Sequence, residues 1–215
     1  MSIVRLQSIV ALLLLPLCLA PAQAQLVNGF AADRGGAGTV ALQLARRALD
    51  AYCLRRERVA VPTDLPLLLR QRSAVFVSAM DRRGAPRCCM GSLYARGPSL
   101  AADVIDTATR AAAHDLRFKP LQPAELAGLR VIVSILDPPE PLPDPYRLDP
   151  LTDGLAVRGA LRTGVVLPGE TARLAQFVQW GLIRAQAETG GPVQYFKLKA
   201  IRFVEPPKEA PHDRS

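Results

Sequence analysis

SAVFVSAMDRRGAPRCCMGSL, residues 73–93, is the stretch whose reading decides the fold. Residues 73–80 are apolar and β-branched, as a buried strand requires. The polar run Asp81 to Pro86 carries a glycine and a proline, the residues that turn a chain. Residues 87–93 therefore return beside the first run, and the pair is a β-hairpin. Successive side chains on a strand point to opposite faces. Arg87, Cys89 and Gly91 are expected on one face of the second strand, and Cys88, Met90 and Ser92 on the other.

Reading outward toward the C-terminus, Ser99 is placed to cap a helix over LAADVIDTATRAAAHD, with Asp103 in its first turn. LRVIVSIL (129–136) is a second strong strand signal. DPPEPLPDPYRLDPLTDG (137–154) is too rich in proline for a helix or a central strand, and reads as a surface loop or a crossing between lobes. LAVRGALRTGVVLP (155–168) reads as another hairpin. A helix follows, ending near Gly190-Gly191, and VQYFKLKAIRFV forms a closing strand.

Toward the N-terminus, TVALQLARRALDAYCLRR places Val40, Leu44, Ala48 and Ala51 on one helical face, with Thr39 at the N-cap position. Cys53 reads as a small apolar residue of that buried face. No internal repeat and no composition break interrupts the middle of the chain. The expected fold class is α+β, one domain with a mixed, mainly antiparallel sheet flanked by helices. Its expected bounds are 39–204, after a flexible lead-in over 25–38 and before a disordered tail over 205–215.

Residues 1–24 read as a signal peptide: Arg5 is the positive start, IVALLLLPLCLA the apolar core, and Ala22-Gln23-Ala24 a small-x-small cleavage site. The apolar run is shorter than a bilayer span and holds Pro16, so no stable membrane anchor is expected. The mature chain is then periplasmic or secreted. Of 215 residues, 49% are hydrophobic and 21% charged, a globular composition. The net charge of +8 is spread along the chain with no basic motif interleaved with aromatics, so nucleic acid is not an expected partner.

Taken in order, RCCMG (87–91), HDLRFKP (114–120), LRVIVSILDPPEPL (129–142), DGL (153–155) and RTGVVLP (162–168) resemble the AMMECR domain, the protein A component of the AmmeMemoRadiSam group. The resemblance spans residues 39–204. It implies two unequal lobes with the cysteine motif near the cleft between them, and a family without an established activity. It also implies a multi-component modification pathway in which a Memo-like protein is a partner. Cys88 stands where the family has glycine, and His114 where it has an acidic residue.

Candidate site residues follow from that motif. Arg87, Cys88, Gly91, Asp115 and Arg117 are binding or motif residues around Cys89. Gly91 is expected at a bulge or at a close backbone approach in a strand. Cys89 with His114 has the residue types of a Cys–His pair, with Arg87 on the same face as a cation that would favour thiolate; His212 lies in the tail. Export favours disulfides, and if one intramolecular bridge forms, Cys53–Cys88 is the favoured pairing, because Cys88 is the residue foreign to the family. No CxxC or HxxxH spacing suggests a metal, and no cofactor is expected. Two readings stand. One is an exported accessory module whose cleft, lined by Arg87, Cys89 and Arg117, holds a small anionic ligand or a partner segment. The other is a thiol-dependent enzyme or redox protein using Cys89 with His114 or Cys88.

Overall fold

A computed structural model describes residues 25–187 and 190–206. The expected signal peptide, His212 and the tail from residue 207 lie outside the described residues. The hairpin forms as read: β1 (Ala74–Met80) pairs antiparallel with β2 (Pro86–Ser92). The turn is held by Asp81, whose carboxylate accepts from the N–H groups of Arg83 and Ala85, both at 2.8 Å. Gly84 supplies the left-handed residue there, at φ 79°.

The other strands are β3 (Arg130–Leu136), β4 (Glu140–Leu142), β5 (Asp153–Arg158), β6 (Thr163–Val166) and β7 (Gln194–Val204). They join one curled sheet in the order β2-β1-β3-β7-β5-β6, with β4 also paired to β7. Every pairing among the described residues is antiparallel. The long β7 is shared: residues 200–204 pair with β3, and residues 194–199 pair with β5.

The helices are α1 (Val27–Ala32), α2 (Ala37–Arg55), α3 (Leu67–Arg70), α4 (Leu100–His114) and α5 (Leu174–Ala185). Ala41, Leu44, Ala45, Ala48 and Leu49 form the buried stripe of α2, which packs with α4 over β1 and β3. Ser99 caps α4 as expected, its hydroxyl accepting from Ala102 N–H at 3.2 Å. On the other half of the sheet, Phe177 and Val178 of α5 pack on Leu155, Val157 and Val166. The result is a larger lobe (α1–α4, β1–β3) and a smaller one (α5, β4–β6) joined through β7. The opposite face of the sheet carries Phe76, Leu136, Val165, Leu167 and Phe196.

Several expectations are corrected. Residues 25–38 are not a flexible lead-in. Leu26 at the N-cap of α1 and Phe30 within it are both buried, and the Phe30 ring packs tilted against Phe203 at 5.6 Å between centroids. Asp137 accepts from Val27 N–H at 3.0 Å, and Asp33 accepts from Ala37 N–H at 2.7 Å, so α2 starts before Thr39. Glu205 is no part of a disordered tail: its carboxylate binds Arg46 and Val131 N–H. The proline-rich stretch crosses from the larger to the smaller lobe and contributes β4. Pro141 is tolerated because β4 pairs with β7 alone. Helix α5 stops at Ala185, where Gln186 turns left-handed at φ 54°, short of Gly190-Gly191.

Candidate functional site

β2 is one free edge of the sheet, and its register decides where each motif residue points. Ala79 pairs with Cys88 and Met80 with Pro86, so Arg87 is the extra residue of a β-bulge. The bulge overturns the alternation expected for Arg87. Instead of lining the cleft beside Cys89, Arg87 donates to the Glu125 carboxylate and sits 5.9 Å from the Phe118 ring centroid. The hydrogen bond to Glu125 raises the Arg87 pKa and lowers that of Glu125.

Cys88 points into the larger core and is 1% exposed. Burial, with Cys89 alongside, pushes its thiol up to about 12. Cys53 lies in the same buried cluster, on α2. The Cys53–Cys88 bridge considered above is not formed: Cys53, Cys88 and Cys89 are all free thiols. Both buried cysteines serve as small apolar residues, as their core positions require.

Cys89 takes the opposite face. It is half-buried as a residue, with the thiol its enclosed part, directly across from Ser78 on β1. Burial raises the thiol pKa and the nearby Glu170 adds to that, while hydrogen bonds from Ser78 and the positive Arg117 act in the other direction. The balance is a protonated thiol, the opposite of an activated nucleophile.

The main chain of Cys89 is held by the segment after α4. Its N–H donates to Asp115 Oδ2 at 2.8 Å, and its carbonyl accepts from Arg117 Nη2 at 2.7 Å. Arg117 also donates to both Asp115 oxygens, at 2.9 and 2.7 Å. An acceptor and a donor thus meet Cys89 where a neighbouring strand would supply them. Burial alone would raise the Asp115 carboxyl; Arg117 and the Cys89 and Arg117 N–H groups outweigh it and hold the pKa low.

Gly91 is not the bulge residue; the close approach at Gly91 comes from a side chain, that of Phe76 across the hairpin, and not from backbone. A Cβ there would fall 2.2 Å from Phe76 Cγ. Phe76 can lie flat over the strand only because residue 91 has no side chain.

The facing wall comes from β6, the strand at the opposite end of the main sheet order. Gly164 and Gly181 let α5 sit directly against it: a Cβ on Gly164 would fall 2.2 Å from the Gly181 carbonyl oxygen. That contact brings Arg184 to the edge, where Nη1 donates to the Val165 carbonyl at 2.6 Å. Its partner Glu170 accepts from Leu167 N–H at 2.7 Å and pairs with Arg184 Nη2 at 2.6 Å. β2 and β6 are therefore each closed by one carboxylate–arginine pair, the carboxylate taking an N–H and the arginine serving a C=O.

Between them lies a cleft of about 680 Å³. Cys89, Gly91, Asp115 and Arg117 line it together with His114, so the structure assembles these expected residues and leaves out Arg87, Cys53 and Cys88. No hydrogen bond joins the exposed His114 to Cys89 among the described residues. Among those residues no group of three or more His, Cys, Asp or Glu side chains could hold a metal ion. Phe76, Glu170 and Arg184 escaped the sequence reading. Glu170 and Arg184 are 14 residues apart, on a loop and a helix, and only the glycines of RTGVV and QWGLI hint at the close packing that joins them.

The AMMECR1 family model matches residues 42–204. A Thermotoga maritima protein is 40% identical over 51% of this chain, which spans 61% of that relative's length. A Thermococcus gammatolerans protein is 34% identical over 67% of the chain and 71% of its own. The crystal structure of an uncharacterised protein from Pyrococcus horikoshii superposes with a TM-score of 0.72 at 26% identity, covering 80% of this chain and 92% of the other.

Proposed function

The chain belongs to the AMMECR1 family, and from that premise we propose that it is a binding module, its cleft holding a ligand or partner segment, rather than a thiol enzyme. One observation carries this reading: Asp115 and Arg117 beside Cys89 clamp its main chain. Asp115 and Arg117 are bonded to each other and to the Cys89 N–H and C=O, so both are held as a main-chain clamp, and the hydrogen bonds that Arg117 and Ser78 also make to the sulfur are outweighed by its burial. The thiol they surround has a raised pKa, which opposes nucleophilic use. The anionic preference of the ligand rests on charge: Arg117, Arg162 and Arg184 line the cleft against Asp115 and Glu170, leaving one arginine in excess.

The same proposal includes export and an accessory place in a modification pathway beside a Memo-like protein. Residues 1–24 support the first and the family association the second. Sequencing the N-terminus of the protein from a periplasmic fraction should give Gln25; a chain starting at Met1 overturns export. The competing reading, catalysis by Cys89 with His114, is favoured only by their shared cleft. Iodoacetamide labelling across pH 6–9, mapped by mass spectrometry, separates the two. Slow labelling of Cys89 that rises only at alkaline pH is expected. Rapid labelling of Cys89 at pH 6 overturns the binding-module reading.

A further inference from the structure

Along an antiparallel edge strand, every second residue turns its N–H and C=O away from the sheet. Cys89 is such a residue, since its N–H and C=O go to Asp115 and Arg117. Gly91, two positions on, has the same phase. Its outward N–H and C=O have no hydrogen-bond partner among the described residues, and it lines the cleft. The edge is thus sealed at Cys89 and open at Gly91.

The surroundings of that opening suit a polypeptide. Gly91 has no side chain to obstruct an incoming strand, and the Phe76 ring lies against it. The rim is apolar and exposed: among the lining residues Tyr94 is 55% and Leu116 99% accessible. Large apolar side chains left in water around a cleft mark an interaction surface. On the far wall, Arg162 is exposed and makes no ion pair among the described residues, while Arg117 and Arg184 are already paired.

We propose that the cleft takes an extended, acidic peptide segment of a partner protein, which adds to β2 at Gly91 and places a carboxylate on Arg162. Main-chain bonds to Gly91 supply the pairing, and side-chain contacts with the rim and Arg162 supply selectivity, the division of labour of strand addition. The Asp115–Arg117 pair fixes the register by denying the peptide the Cys89 position. This rests on the cleft being a binding site.

The test uses the full domain, with acetyl-VDVEV-amide as the probe. Three controls accompany it: the lysine analogue acetyl-VKVKV-amide, a version N-methylated at its central residue, and the Arg162→Glu protein. Binding is read by NMR titration, with amide exchange measured at Gly91. Expected are saturable binding of the acidic peptide, slowing of Gly91 exchange by about tenfold, loss of binding on N-methylation, and weakening by about tenfold in Arg162→Glu. Absence of binding, binding that leaves Gly91 exchange unchanged, indifference to N-methylation, or equal binding of the lysine analogue each overturns the proposal. Slow Cys89 alkylation combined with no peptide binding sinks the peptide alone. Rapid alkylation at pH 6 sinks the binding module itself.

Discussion

Replacing Asp115 with alanine removes the carboxylate that closes the β2 edge. That carboxylate accepts four hydrogen bonds: from Cys89 N–H at 2.8 Å, and from Arg117 N, Nε and Nη2 at 3.2, 2.9 and 2.7 Å. The two partners differ in burial, with the Asp115 side chain 6% exposed and that of Arg117 53%. Arg117 regains water readily when freed, so its share of the pair is worth about 1 kcal/mol or less. The Cys89 N–H loses a charged acceptor in a half-buried setting, worth about 1.5–3 kcal/mol. The sum is about 1.5–4 kcal/mol, read by urea unfolding at pH 7 followed by far-UV circular dichroism. The pH dependence follows from the lowered Asp115 pKa. Its stabilisation is complete above the unfolded carboxyl value of about 3.9 and is lost as pH falls through the lower folded value. Asp115→Asn, which cannot ionise, should therefore be less stable than the parent at pH 7 and approach it below about pH 4. A loss under about 0.5 kcal/mol in Asp115→Ala, or a gap to Asp115→Asn that does not narrow between about pH 5 and pH 3, would refute the capping role.

Gly91→Ala drives a methyl into the Phe76 ring and should cost about 1–3 kcal/mol, with the double variant Gly91→Ala/Phe76→Leu recovering much of it in thermal melts. Gly164→Ala should cost more, about 3 kcal/mol or above, because its Cβ meets the Gly181 backbone carbonyl, which cannot swing aside; Arg184 would lose its place on Val165. The Cys88 thiol, raised by burial to about 12, stays protonated in the folded state while the unfolded thiol ionises. Stability should therefore fall as pH rises from about 8.5 toward 12, with Cys88 contributing up to about 1.4 kcal/mol per unit, and denaturant titrations of Cys88→Ala should show a shallower slope, the part that remains coming from the raised Cys53 and Cys89 thiols.

What the sequence showed, and what it hid, divides by the range of the interactions. The β1–β2 hairpin, the Ser99 cap and strand β3 depend on neighbours within a few residues, so composition and turn chemistry reveal them. Helix α1 was obscured because glycine and alanine surround Leu26 and Phe30, whose burial depends on β7 and Phe203 far along the chain. The place of Arg87 turned on a single-residue bulge, which alternation cannot anticipate. The Cys89–Asp115–Arg117 cluster was legible as a set of residues through the family motif. That the last two act on the Cys89 main chain, and that Glu170 and Arg184 repeat the device on β6, depends on how the curled sheet brings its two edges together.

Residue-resolved amide hydrogen exchange on the free protein tests the capped-and-open edge most directly. Cys89, bonded to Asp115, and Met90, within the β1–β2 ladder, should both be protected, while Gly91 between Met90 and Ser92 exchanges at close to the rate of an unbonded amide. Protection of Gly91 equal to that of Met90 would mean the edge has no opening there, and rapid exchange at Cys89 would mean Asp115 does not close it.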